Sequence, residues 1–225
     1  GTIFEGEGLC IQTQLAVQGN VARVLVRYVN TSSGAFEGFK TIVQQIAQGQ
    51  SVAQDLPSNS IPAGGVIQQQ IQFKAHDYFA EPPKLAIAYA AQGAQKQVTT
   101  WLPLHVAKFN APVQCNKDQY FAVWGKIVGP PNECVKVWKA ATPTSKAVME
   151  GIIAGLNFSV LQGVDPNANN IVGAAKVNLG AGDVYSVIRV EIEPVQQAVK
   201  LTVKTNNANM TEACRAAVML VMHAP

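Results

Sequence analysis

A chain of 225 residues is long enough for one large domain or two small ones, each with its own core. With 48% of its residues apolar and 14% charged it is not an intrinsically disordered chain. Its net charge of +3 is spread evenly, seven basic against six acidic residues up to residue 108 and ten against eight beyond, so nucleic-acid binding through a basic stripe is not expected.

The first hundred residues read as a succession of short strands. Leu9 to Val17, Val21 to Val29, Thr41 to Ala47, Val66 to Phe73, Leu85 to Ala91 and Gln97 to Leu104 are β-rich, and several alternate in polarity. Turn chemistry separates them at Gln18-Gly19-Asn20, Asn30 to Gly34, Pro57 to Gly65, Glu81-Pro82-Pro83 and Gln92-Gly93. Strands at this spacing without intervening helical periodicity predict an immunoglobulin-like β-sandwich of seven or eight strands over residues 1–108.

The pattern changes after the connector Lys108 to Pro112, and residues 109–225 read as an α+β platform, a mainly antiparallel sheet flanked by helices. Asp118 to Trp124 forms a short aromatic helix, started by Asn116 with Gln119 as its capping-box partner and stopped by Gly129-Pro130-Pro131. Tyr120, Trp124 and Ile127, and likewise Phe121, Trp124 and Val128, recur at helical spacing, which centres one apolar stripe on Trp124. Periodicity alone leaves two readings open, a stripe packed into the core or one presented as a binding surface. A strand at Glu133 to Ala140, a helix from Ser145 to Ala154 and strands near Phe158 to Gln162, Ile171 to Asn178, Asp183 to Ile192 and Ala198 to Asn206 follow. The last element is a helix with Met210, Ala213, Cys214, Ala217, Val218 and Val221 on one face.

Polar chemistry gathers on two of these strands. The period of two puts Arg189 and Glu191 on one face, opposite Ile188, Val190 and Ile192; in the next strand Lys200, Thr202 and Lys204 oppose Val199, Leu201 and Val203. A hairpin through Glu193 to Gln197 makes the polar faces coincide, with Glu191 beside Lys200 and Arg189 one diagonal away. That mildly cationic face is either a solvated surface with cross-strand ion pairs or, beside an exposed tryptophan, a donor cluster for a carboxylate. Short acidic-aromatic peptides suit the second reading.

Catalytic patterns are absent from the sequence: there is no G-x-S-x-G, P-loop, G-x-G-x-x-G after a strand, or H-E-x-x-H. His76, His105 and His223 are isolated, Glu191 and Glu193 read as a solvated strand edge, and neither an enzyme nor a cofactor is expected. Cys10, Cys115, Cys134 and Cys214 show no C-x-x-C spacing and read as reduced, structural thiols of a cytosolic chain. Sequons begin at Asn30, Asn157 and Asn209 and carry little weight. No apolar stretch approaches the roughly 18 residues of a membrane span.

At Asp118 to Trp124, Val164 to Asn167, Asn170 to Ala174 and Ile188 to Glu191 the chain resembles the appendage, or ear, domain of alpha-adaptin, the large subunit of the endocytic clathrin adaptor complex. Weaker echoes occur at Tyr28-Val29-Asn30, Gly64-Gly65, Phe79 to Pro83 and Leu102-Pro103-Leu104. The resemblance implies a sandwich carrying a platform that captures Asp-Pro-Phe/Trp and Phe-x-Asp-x-Phe motifs of endocytic accessory proteins at clathrin-coated pits. It implies a monomeric appendage joined to the rest of the adaptor complex through its parent chain, without inserting into the membrane. By position it assigns Trp124 to pack the motif aromatic with Phe121 beside it, Arg189 to contact the motif aspartate, Glu191 to order that arginine, and Lys200 as a further cation; Lys204, from the strand-face reading, completes the peptide-binding set. Lys200 stands where the family has a second arginine, keeping the charge and losing the planar fork. Arg27 and Gln14 replace the phenylalanine and lysine of the family's side site for Trp-x-x-Phe motifs, so that site is not carried over. The alternative is a coat-protein spacer that has lost motif binding.

Overall fold

The computed structural model describes residues 1–44, 50–54, 58–139, 145–193 and 198–222. Apolar side chains at every second position give eight strands in the first part of the chain: β1 (Thr2–Gly6), β2 (Leu9–Gln18), β3 (Val21–Asn30), β4 (Phe36–Gln44), β5 (Gln50–Gln54), β6 (Val66–Ala75), β7 (Lys84–Ala91) and β8 (Ala94–Trp101). Contacts divide the chain into two units, Gly1–Asp77 with Glu81–Leu104, and Tyr78–Ala80 with the residues from His105 onward.

In the first unit a five-stranded sheet, β1-β2-β3-β6-β5, faces a three-stranded sheet, β4-β7-β8. Inward side chains meet between them: Tyr28 packs on Phe39 with ring centres 5.0 Å apart, and Phe36 on Tyr89 at 4.4 Å. Buried Gln69 accepts from the Tyr28 and Thr41 hydroxyls across the same interior.

Strands β1 and β5 are additions to the sequence reading. Glu7 and Gly8, both at positive φ, make the tight turn that lets β1 fold back on β2. The expected strand Gln97 to Leu104 instead starts at Ala94, because Gln92 and Gly93, again both at positive φ, reverse the chain within two residues. The expected strand at Thr41 begins earlier, at Phe36, and residues 45–47 of that expectation lie outside the described residues.

The second unit opens with a 3-10 turn, Val106–Phe109, and continues as β9 (Ala111–Pro112), α1 (Lys117–Lys126), β10 (Glu133–Lys139), α2 (Lys146–Gly155), β11 (Ser159–Val160), β12 (Asn170–Val177), β13 (Val184–Glu193), β14 (Ala198–Thr205) and α3 (Ala208–Met222). The segment expected as a plain connector is therefore structured, with β9 pairing on β12. The expected strand Phe158 to Gln162 shrinks to the two residues of β11.

The antiparallel sheet runs β10-β14-β13-β12-β11. One face, carrying Ile188, Val190, Leu201 and Val203, is buried beneath α2 and α3, whose inward residues include Ile153, Met210, Cys214 and Val218. Gly173 is required for this closeness, because a Cβ there would come within 3.2 Å of Ile153 Cγ2 and of the Ser159 carbonyl. The other face carries α1.

Candidate functional site

Helix α1 forms as its sequence predicts. Asn116 Oδ1 accepts from the Gln119 N–H and Gln119 Oε1 accepts from the Asn116 N–H, both at 2.9 Å, closing the capping box. Asp118 in the first turn and Lys126 in the last complement the helix dipole. The two readings of its aromatic stripe divide between residues. Tyr120 is fully buried with Leu161, Val164, Val172, Ala174 and Val187, and its hydroxyl donates to the Ile188 carbonyl at 2.9 Å. Burial pushes that phenol well above its usual range. Phe121 and Trp124 pack on the edge of this cluster and are only partly buried. Val128 is not on the stripe: the helix ends at Lys126, and this valine is 77% exposed.

Lys204, expected among the peptide-binding residues, is instead buried beneath α1. Only 5% exposed, it donates from Nζ to the Trp124 carbonyl at 3.1 Å and the Ile127 carbonyl at 2.8 Å, groups that the end of α1 leaves without helical partners. The same ammonium lies 4.5 Å from the centre of the Trp124 ring and 3.5 Å from Glu133 Oε1. Tyr120 stacks on that indole at 5.7 Å between centres. The ring is thus fixed by a cation and an aromatic from its own unit.

Strand pairing follows the expected register, with Glu191 opposite Lys200 and Arg189 opposite Thr202. Arg189 is consequently one diagonal from Lys204, whose direct partner is Val187. Lys200 Nζ meets Glu191 Oε2 at 2.8 Å, and Glu191 Oε1 lies 3.7 Å from Arg189 Nη1. The strongest hold on Arg189 is a residue the sequence reading did not assign. Asp165 Oδ2 stands 2.8 Å from Arg189 Nε, close in charge but outside hydrogen-bond alignment. Asp165 is itself almost wholly buried, with Oδ1 accepting from the Asn167 N–H at 2.9 Å and Asn170 Nδ2 at 3.1 Å. The only local signal for it is the Asx turn in Asp165-Pro166-Asn167. Nothing in its spacing names an arginine 24 residues away.

These pairs also correct the expected cationic character. Arg189, Lys200 and Lys204 are each matched by a carboxylate, Asp165, Glu191 and Glu133 respectively. What the face offers a ligand is an oriented guanidinium and ammonium, with no net surplus of charge. Arg189 is 28% exposed along its side chain, and its Nη1 stands no closer than 3.7 Å to Glu191 Oε1. Beside them β10 contributes an apolar border: Val135 pairs with Thr202 and Val137 with Lys200, and both valines are about half exposed. This border was not assigned from the sequence, because a strand's period gives its two faces and not which one is covered.

Elsewhere, Gln14 and Arg27 line a cleft of about 140 Å³ with Gln12, Thr13 and Leu25, and Arg27 Nη1 reaches Gln12 Oε1 at 3.5 Å. His105 is buried, which holds its imidazole down to about 4, with Lys108 adding to the effect. His76 is exposed, and His223 lies outside the described residues. Among the described residues no three His, Cys, Asp or Glu groups converge on a metal site, and no helix is long and apolar enough to cross a membrane. Cys10, Cys115, Cys134 and Cys214 are all free, and burial pushes the Cys214 thiol up to about 12.

The family model described as "Alpha adaptin AP2, C-terminal domain" matches residues 108–220, and that described as "Adaptin C-terminal domain" matches residues 1–105. Among curated proteins the chain is 28% identical over 222 residues to AP-2 complex subunit alpha-2 of Dictyostelium discoideum, covering 96% of this chain and 22% of that protein. It is 21% identical over 213 residues to AP-2 complex subunit alpha of Schizosaccharomyces pombe, covering 93% of this chain and 24% of that protein. The chain therefore spans about a quarter of the length of these relatives. Among solved structures the GAE domain of GGA2p from Saccharomyces cerevisiae aligns at TM-score 0.41 and 17% identity, over 46% of this chain and 94% of that one.

Proposed function

From the premise that the chain belongs to the alpha-adaptin C-terminal domain family, we propose that its second unit is a peptide-docking platform of an endocytic clathrin adaptor. It captures short acidic-aromatic motifs of accessory proteins and performs no chemistry on them. The observation that carries this reading is the pairing of a partly buried, rigidly held indole with an oriented guanidinium. Trp124 and Phe121 receive the motif aromatic, while Arg189, ordered by Asp165 and Glu191, donates to the motif carboxylate. Lys200 supplies a second, more mobile donor, and Lys204 acts from beneath by holding Trp124. Through its parent chain the unit works at clathrin-coated pits as part of the adaptor complex.

A short flexible motif buries little surface and loses conformational freedom on binding, so single sites have dissociation constants on the order of 10–100 µM and gain strength from several motifs per partner. Calorimetric titration of an Asp-Pro-Phe-containing peptide tests the assignment. Wild type gives saturable heat and Trp124→Ala gives none; equal heats from both proteins, or no heat from either, remove the platform reading and leave a coat-protein spacer.

A further inference from the structure

Asp165 sits on the loop that joins β11 to β12, and the two ends of that loop are fixed. Val164 is buried with Tyr120, and Asn170, the first residue of β12, donates from Nδ2 to Asp165 Oδ1 at 3.1 Å. Between them Pro166, Asn167, Ala168 and Asn169 are all exposed. Two successive Asx turns, the Asn167 N–H on Asp165 Oδ1 and the Asn169 N–H on Asn167 Oδ1, tie the carboxylate to the path of this exposed backbone. Behind it lies a cavity of about 190 Å³, so core packing does not fix the middle of the loop.

Lys146 holds it instead. As the first residue of α2 it donates from Nζ to the Ala168 carbonyl at 2.7 Å. Its helix is a firm base, capped where Ser145 Oγ accepts from the Val148 N–H at 3.3 Å and anchored in the core by Met149 and Ile153. Glu150, one turn on, lies 3.8 Å from the ammonium and accepts from Gln162 Nε2 at 3.1 Å, which keeps the lysine aimed along the cavity. The contact that depends on this support is an unforgiving one. Asp165 Oδ2 meets Arg189 Nε at 2.8 Å by charge and without hydrogen-bond alignment, so displacement of the loop backbone changes the hold on the guanidinium directly.

Given a platform that captures acidic-aromatic motifs, we propose that Lys146 is a positioning residue for it: by tying the Asp165 loop to α2, Lys146 keeps Asp165 on Arg189 and so sets how firmly the motif carboxylate is gripped. Lys146 reaches the site from α2, which packs on the sheet face opposite α1, and it touches neither Trp124's pocket nor the ligand. Its influence is therefore confined to the carboxylate half of the motif.

The test uses the full chain, isotope-labelled for magnetic resonance, with Lys146→Met and Lys146→Arg. The first readout needs no peptide: the Nε–Hε resonance of Arg189, identified by its loss in Arg189→Lys, moves in Lys146→Met and returns toward the wild-type position in Lys146→Arg. The second is titration with an Asp-Pro-Phe-containing peptide and its Asn-Pro-Phe counterpart, followed by amide shifts. Lys146→Met weakens the aspartate peptide about threefold and leaves the asparagine peptide unchanged. On an Asp165→Asn background Lys146→Met causes no further loss, because both substitutions act through one contact. The proposal is overturned by an unmoved Arg189 resonance, by equal weakening of both peptides, or by fully additive losses in the double variant. Should wild type and Trp124→Ala bind the aspartate peptide alike, the platform reading falls by itself, and the Arg189 resonance still decides whether Lys146 orients that guanidinium.

Discussion

Replacing Lys204 by methionine keeps most of the apolar stem and removes the ammonium. Two carbonyls at the end of α1 lose their donor, the indole of Trp124 loses its cation, and the Glu133 carboxylate loses a charge partner. A charged hydrogen bond contributes about 1.5–3 kcal/mol and a desolvated cation–π contact about 2 kcal/mol. Burying an ammonium costs several kcal/mol, which the substitution recovers. Glu133 keeps the Gly129 N–H at 2.8 Å and part of its exposure, so it is not left stranded. The net expectation is a loss of about 2–3 kcal/mol in the second unit, or a Tm lower by roughly 5–10 °C. Circular dichroism melts give the Tm, and calorimetry with the Asp-Pro-Phe peptide reports whether Trp124 still presents its ring. Affinity should fall about tenfold in protein that remains folded at 25 °C. A Tm within about 1 °C of wild type together with unaltered peptide affinity would refute the idea that Lys204 works from below by fixing the helix end and its indole.

Two further outcomes follow from the same geometry. Asp165→Asn preserves the Asx turn but removes the charge on Arg189 Nε, so the peptide dissociation constant should rise about threefold to tenfold through a less ordered guanidinium; an unchanged value would show that Glu191 alone positions the arginine. His105 titrates near 4 in the folded protein against about 6.5 unfolded, so between these values the unfolded chain binds more protons; stability is therefore full above about pH 6.5 and declines as pH falls toward 4, by on the order of 3 kcal/mol. His105→Gln should flatten that part of the stability curve, and an unaltered slope would assign it to other groups.

Elements built from neighbours in sequence were legible before any coordinates. The capping box of α1, the helix at Ser145 and the alternating faces of β13 and β14 depend on side chains within four residues of one another or on the period of a strand. Even the Glu191–Lys200 pair was accessible, because a short hairpin turns a local pattern into a register. The functional reading also drew on family resemblance, which placed Trp124 and Arg189 in roles that periodicity alone left open.

What tertiary structure decided was which surfaces are covered. Lys200 and Lys204 occupy the same face of one strand and are identical in local sequence terms, yet α1 lies over Lys204 and leaves Lys200 in solvent. Asp165 reaches Arg189 only because β12 and β13 pair and carry the preceding loop to the strand. A strand's period of two sorts its side chains into two faces, but the burial of a charge, and hence whether it grips a ligand or a helix end, depends on long-range packing that the chain writes nowhere locally.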